Sequence, residues 1–168
     1  MKLPEAKTQF INNWGAMGTQ WGINRTMAQI HALLLVSNTA LTQDDIMEQL
    51  NISRGNVNMN TRDLVDWGLI NRVIIQGERK EHFTAEKDIW KVAAHIIRER
   101  KKRELDPMIK LLAQLENVDG DKKEKETRQF LEMIGTIKKL GQKAGKLLDV
   151  LVKAEENKFT SAVMKALK

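Results

Sequence analysis

The 168-residue chain has no cysteine. That excludes a disulfide framework, cysteine-ligated zinc fingers and thiol catalysis, and it suits a reducing compartment. Tyrosine is absent too, and only two prolines occur among plentiful Leu, Lys, Ala, Glu and Met. Such a supply favours helix over sheet. Long apolar runs are also missing. The longest covers residues 32–36, far short of a bilayer crossing. The opening MKLPEAKTQFINNW carries no apolar segment behind its lysine, so no signal peptide is expected. A cytoplasmic chain with no membrane partner follows as the expectation.

Hydrophobic residues at 42% are enough for a core. Lys and Arg number 28 against 22 acidic residues, a net charge of +6. A modest basic excess of this kind suits an anionic partner such as nucleic acid.

Apolar spacing predicts a first amphipathic helix over residues 5–17, through Ala6, Phe10, Trp14 and Met17. Gly15, Gly18 and Gly22 are expected to interrupt or tighten the chain. A second helix reads from Asn24, with Ile23, Met27, Ile30 and Leu34 on one face, and ends at Ser37-Asn38. Thr42-Gln43-Asp44-Asp45 is a capping-box-like start to a third, short helix. After the turn Asn51-Ile52, Ser53 is a good N-cap for a fourth helix. That helix runs to Trp67, and Gly68 stands where a left-handed terminal residue is wanted. Residues 71–75 and 79–84 read as two strands about a turn at Gln76-Gly77-Glu78.

Asp88 can cap a further helix, which is expected to break and restart at Asp106-Pro107. Asp119-Gly120-Asp121 reads as a loop. From about residue 124 to 154 comes a long helix whose stripe is Phe130, Ile134, Ile137, Leu140, Ala144, Leu147 and Leu151, close to a heptad seam. A last short helix is expected from Thr160. The fold class is therefore mostly α: a winged helix-turn-helix with flanking N- and C-terminal dimerisation helices. The expected organisation is an N-terminal dimerisation helix at 1–23, the winged helix-turn-helix at 24–86, and a helical dimerisation region at 87–168.

Two short helices joined by a tight turn can aim the second helix into a DNA major groove. With Val57 at the centre of its buried face, Thr61 and Leu64 also point inward. Gly55, Asn58, Met59, Arg62 and Asp66 then point outward, with Asn56 on the flank. Asn can pair with adenine, Arg with guanine, and Met can meet a thymine methyl. Gly55 permits close backbone approach, and Ser53, Arg54 and the free amides of the helix start suit a phosphate. Arg79 and Lys80 at the hairpin tip are placed for flanking backbone or minor groove. Double-stranded DNA is the expected partner. The competing reading is a winged-helix module that binds protein instead.

The runs WGINRTMAQIHALLLVSN, LTQDDIMEQLNISRGNVNMNTRDLVDWGLINRV and QGERKEHFTAEKDIWKV resemble the GbsR branch of the MarR-like regulators. The resemblance covers about residues 21–102; the C-terminal third matches only in being helical. It implies a homodimeric repressor or activator of transcription, often governed by a small-molecule effector. Thr61 departs from the pattern, standing where such helices usually carry a larger apolar residue. The branch is named for a regulator of glycine betaine synthesis, so the resemblance raises a quaternary-ammonium ligand. Aromatic cages bind such cations through ring faces. Trp14, Trp21 and Trp90 are the ligand-binding candidates, with ordinary packing as the plainer role.

His31, His82 and His95 are scattered and show no metal-ligand spacing. No phosphate loop and no nucleophile with its base is visible, so no metal, cofactor or enzymatic activity is expected. Residues 98–103 hold five basic side chains in six, read as a solvated helix face or a phosphate contact.

Overall fold

A computed structural model describes residues 1–118 and 124–156. The chain forms two compact units, Met1–Val92 and Ala93–Lys168. The Asp119 loop and the helix expected from Thr160 lie outside the described residues.

In the first unit, α1 (Leu3–Gln20) packs along α2 (Arg25–Val36). Of the two expected roles, Gly15 and Gly18 take the second: they lie inside α1 and tighten the packing without interrupting the helix. They are the contact itself: a Cβ at Gly18 would lie 2.7 Å from the Ala28 Cβ, and one at Gly15 2.6 Å from the Gln29 side chain. Only Gly22, at φ 74°, belongs to the turn. The Asn24 side chain accepts from the amides of Thr26 and Met27, which starts α2. The far end of α2 is closed from a distance. Lys87 Nζ donates to the carbonyls of Leu34, Leu35 and Ser37 at 2.7, 2.7 and 2.9 Å. A lysine suits these free carbonyls and the negative end of the helix dipole.

Next come β1 (Leu41–Thr42), α3 (Gln43–Leu50), α4 (Arg54–Asp66), β2 (Ile70–Val73) and β3 (His82–Ala85). The strands pair antiparallel in the order β1-β3-β2, with Leu41 opposite Phe83 and Val73 opposite His82. Sequence spacing did not indicate β1, and both hairpin strands are shorter than expected. Ile30, Leu34, Ile46, Val57, Leu64, Ile70 and Phe83 form the fully buried core, so α2, α3, α4 and the hairpin share one interior.

α5 (Ile89–Arg100) is capped by Asp88, whose carboxylate accepts from the amides of Trp90 and Lys91. The expected break at Asp106-Pro107 does not occur. Residues Lys101–Leu105 form a π-helical turn that leads directly into α6 (Asp106–Leu115). The Asp106 amide donates five residues back, to Lys101. Proline lacks an N–H and its ring clashes with the carbonyl four residues earlier; a widened turn accommodates both. The Asp106 side chain serves an ion pair with Lys101 at 3.2 Å instead of a cap.

α7 (Lys125–Glu156) packs on α6 and on the π turn. Its inward face is Ile134, Lys138, Gly141, Gly145, Leu148 and Val152. A Cβ on Gly141 would lie 3.2 Å from Ile109, so the helices approach closely there. Lys138 pairs with Glu116, and Lys101 reaches Asp149 at 3.4 Å. Of the predicted stripe only Ile134 is buried, while Phe130, Ile137, Leu140, Leu147 and Leu151 stay exposed alongside Met133 and Val150. No helix is long and apolar enough to cross a membrane among the described residues.

Candidate nucleic-acid interface

Local chemistry fixes α4 at both ends. The α3 start is a reciprocal box: the Thr42 amide donates to Asp45 Oδ2 at 2.7 Å, and the Asp45 amide to Thr42 Oγ1 at 3.2 Å. The turn after α3 depends on Asn51, left-handed at φ 50° and ψ 52°, which asparagine tolerates better than most residues. Ser53 Oγ then accepts from the Asn56 amide at 3.4 Å, so this hydroxyl caps α4. At the other end Gly68 is left-handed, and the amides of Gly68 and Leu69 bond back to Val65 and Leu64, a Schellman closure. Trp67 is buried, as expected of a structural residue.

Val57, Thr61 and Leu64 face inward, and Gly55, Asn56, Asn58, Met59, Arg62 and Asp66 face solvent, as the spacing predicts. The Thr61 hydroxyl donates to the Val57 carbonyl at 2.8 Å, so its burial leaves no unmet donor. Asn60 was missed: it is fully buried and donates from Nδ2 to the Asn56 carbonyl at 2.7 Å. Its position three residues after Val57 gave the signal, masked by its polar side chain. Apart from its chain neighbours and its own helix backbone, no described residue comes within 4 Å of where a Cβ on Gly55 would stand.

The hairpin tip turns at Gly77, φ 88°, with the Glu78 amide donating to Ile75. His82 fastens its base. The ring lies 2.9 Å from Glu78 Oε2 through Nε2 and 3.0 Å from the Lys80 carbonyl through Nδ1. Arg72 and Glu81 pair across the strands at 3.5 Å. Arg79 projects into solvent. Lys80 returns to α3 and α4: its Nζ lies 2.8 Å from Asp44 Oδ2, while Arg54 lies 2.8 Å from Asp44 Oδ1. Wing, α3 and the start of α4 therefore meet in one charged cluster. The Lys80 hydrogen bond and charge hold the Asp44 carboxyl below the usual range.

The other candidates are not assembled in this way. Trp14 lies against Phe10 and His31, at ring separations of 5.4 and 6.2 Å. Trp21 and Trp90 are 52% and 60% exposed, and no ring contact joins any two of these three tryptophans. His31 is 3% exposed, with its Nε2 lacking a hydrogen-bond partner among the described residues. Burial, then the Lys87 charge, pulls its pKa down to about 4. The basic run at residues 98–103 is largely paired with its own neighbours: Arg100 grips Glu104 with two bonds of 3.0 Å, and Lys102 and Arg103 lie at Glu99. This favours the solvated-face reading. No group of residues that could hold a metal exists among the described residues.

A helix-turn-helix followed by a hairpin wing on a three-stranded sheet defines a winged-helix protein. Residues 21–80 match the sequence model of the MarR family, a match that spans the helix-turn-helix and the start of the wing. A solved structure described as a transcriptional regulator is similar over 86% of this chain and 98% of its own, with a TM-score of 0.57 and 17% identity, a likeness of fold. A mutant of S. aureus MepR bound to an oligodeoxyribonucleotide matches over 80% of this chain and 92% of its own, with a TM-score of 0.41 and 15% identity. S. aureus MepR in its DNA-binding conformation matches over 79% and 90%, with a TM-score of 0.39 and 20% identity. No curated protein matches the sequence.

Proposed function

We propose that the chain is a homodimeric, sequence-specific DNA-binding regulator of transcription, of the GbsR type within the MarR-like regulators. The carrying observation is the continuous solvent face of α4, where Asn56, Asn58, Met59 and Arg62 stand beside Arg54 and the wing cation Lys80. A core-only role leaves such a face without a purpose. Asn58 and Arg62 read base edges; Ser53, Arg54, Arg79 and Lys80 hold the backbone. The exposed apolar seam of α7 supports the dimer, since a free stripe of this length is adhesive in water. The effector proposed with this reading is a quaternary ammonium compound, taken up where a second protomer adds to Trp14, Trp21 and Trp90. A titration of tryptophan fluorescence with choline tests that part.

DNA binding is tested by gel shift and anisotropy on the region upstream of the chain's own gene. Binding is expected to weaken steeply with salt as counterions are released. Asn58→Ala or Arg62→Ala costs about 1–3 kcal/mol on the preferred site and relaxes specificity. Folded variants that bind like the parent would remove α4 from the role of base reader.

A further inference from the structure

We propose that Asp44 is an electrostatic brake on phosphate binding, keeping Arg54 and Lys80 partly neutralised until DNA draws them away. This rests on the DNA-binding reading above. The carboxylate divides its oxygens between two cations from separate elements, one on the first residue of α4 and one in the wing, each at 2.8 Å. Both cations belong to the surface that faces the backbone. The three side chains together carry one positive charge where the two cations alone would carry two. Backbone affinity follows the number of charges a protein can neutralise on the phosphates, so the carboxylate subtracts from it directly.

Two observations separate this from a structural role. The α3 cap is made by Asp45 and Thr42, so Asp44 is not needed to start the helix. The side chains of Asp44, Arg54 and Lys80 are 43%, 69% and 65% exposed, and ion pairs so open to water organise little. A clamp that positions the cations would need a stiffer, drier site. What remains is charge. The carboxylate is held ionised by Lys80 and, more weakly, by Arg54, and it lies in the first turn of α3, where the helix dipole favours an anion. DNA phosphates have to outcompete it for the same two cations. A brake of this kind is blind to base sequence, because it acts on backbone contacts and not on Asn58 or Arg62.

The test uses the full chain, with Asp44→Asn, which keeps the shape and an acceptor oxygen. Glu48→Gln, an exposed carboxylate one turn along the same helix and outside the two ion pairs, makes an identical charge change. Anisotropy is read on a preferred and a random-sequence duplex between roughly 50 and 200 mM salt. Asp44→Asn should tighten both by about three- to tenfold near 0.1 M salt and steepen the log–log salt slope by about one. The ratio between the duplexes should stay constant, and Glu48→Gln should have less than half the effect. Unchanged or weaker binding by Asp44→Asn, or an equal effect of Glu48→Gln, overturns the brake while parent binding stands. A parent that binds neither duplex overturns the DNA reading and the brake with it.

Discussion

His31 gives the sharpest quantitative prediction. It sits on α2 beneath Trp14, 3% exposed, with Lys87 as the nearby charge. Its pKa is lowered from 6.5 to about 4, while the unfolded chain keeps the ordinary value. A base whose folded pKa is depressed gives up stability as pH falls, because the unfolded state takes the proton first. Stability is full above pH 6.5 and declines between 6.5 and 4, by at most about 1.4 kcal/mol per pH unit. The loss totals about 2–4 kcal/mol, from a difference of 2.5 units at about 1.36 kcal/mol each. Ordinary domain stability is about 5–15 kcal/mol, so the effect is large. Urea unfolding at fixed protein concentration at pH 7.5, 6, 5 and 4.5 measures it. His31→Leu keeps an apolar body and removes the titration, so its profile should be flatter than the parent's over this window. The carboxyls of Asp44 and Asp45 are held below their usual range, so their loss of stability falls lower, at and below the ordinary carboxyl range. Parallel profiles of parent and variant between pH 6.5 and 5 would refute the argument.

Two more variants address other parts of the chain. Ile137→Glu with Leu147→Glu places charges in the exposed α7 seam. The variant should sediment as a monomer and lose operator affinity by about 10²-fold, as the second head no longer gains from linkage, with the winged helix still folded by circular dichroism; a dimer, or native affinity as a monomer, contradicts the assignment. Lys87→Met removes the three bonds that close α2 and should lower stability by about 1–3 kcal/mol, with faster amide exchange in the last turn of α2. An unchanged unfolding midpoint would show that those carbonyls are served by water equally well.

The winged helix was legible because each of its boundaries is a local event. Thr42 with Asp45, Ser53 and Gly68 act within a few residues of themselves, so their chemistry can be seen in a short window. β1 was hidden because Leu41 and Thr42 become a strand only by meeting Phe83 and His82, about forty residues away. Reading α7 by its large apolar side chains found the face that stays exposed. The face that packs on α6 and the π turn includes Gly141, Gly145 and a lysine stem, residue types that carry no hydrophobic signal yet allow close approach. Asn60 escaped for a related reason: a wheel drawn by polarity sends asparagine outward, whereas its amide here is spent on a carbonyl one turn back. The outward residues of α4 were easier, since a binding surface is polar where it meets water.

The π turn at Lys101–Leu105 makes the connection from α5 to α6 a matter of rotational phase. A residue added to an α-helix rotates everything after it by about 100°, whereas a widened turn takes up an extra residue within one loop of the spiral. The orientation of Ile109 and Leu112 about the axis of α6 is therefore set partly by these five residues. A one-residue insertion or deletion between Arg100 and Asp106 would consequently act at a distance. It would turn Ile109 away from Gly141 and replace this close seam with a bulkier profile, even though every side chain of α6 and α7 remained the same.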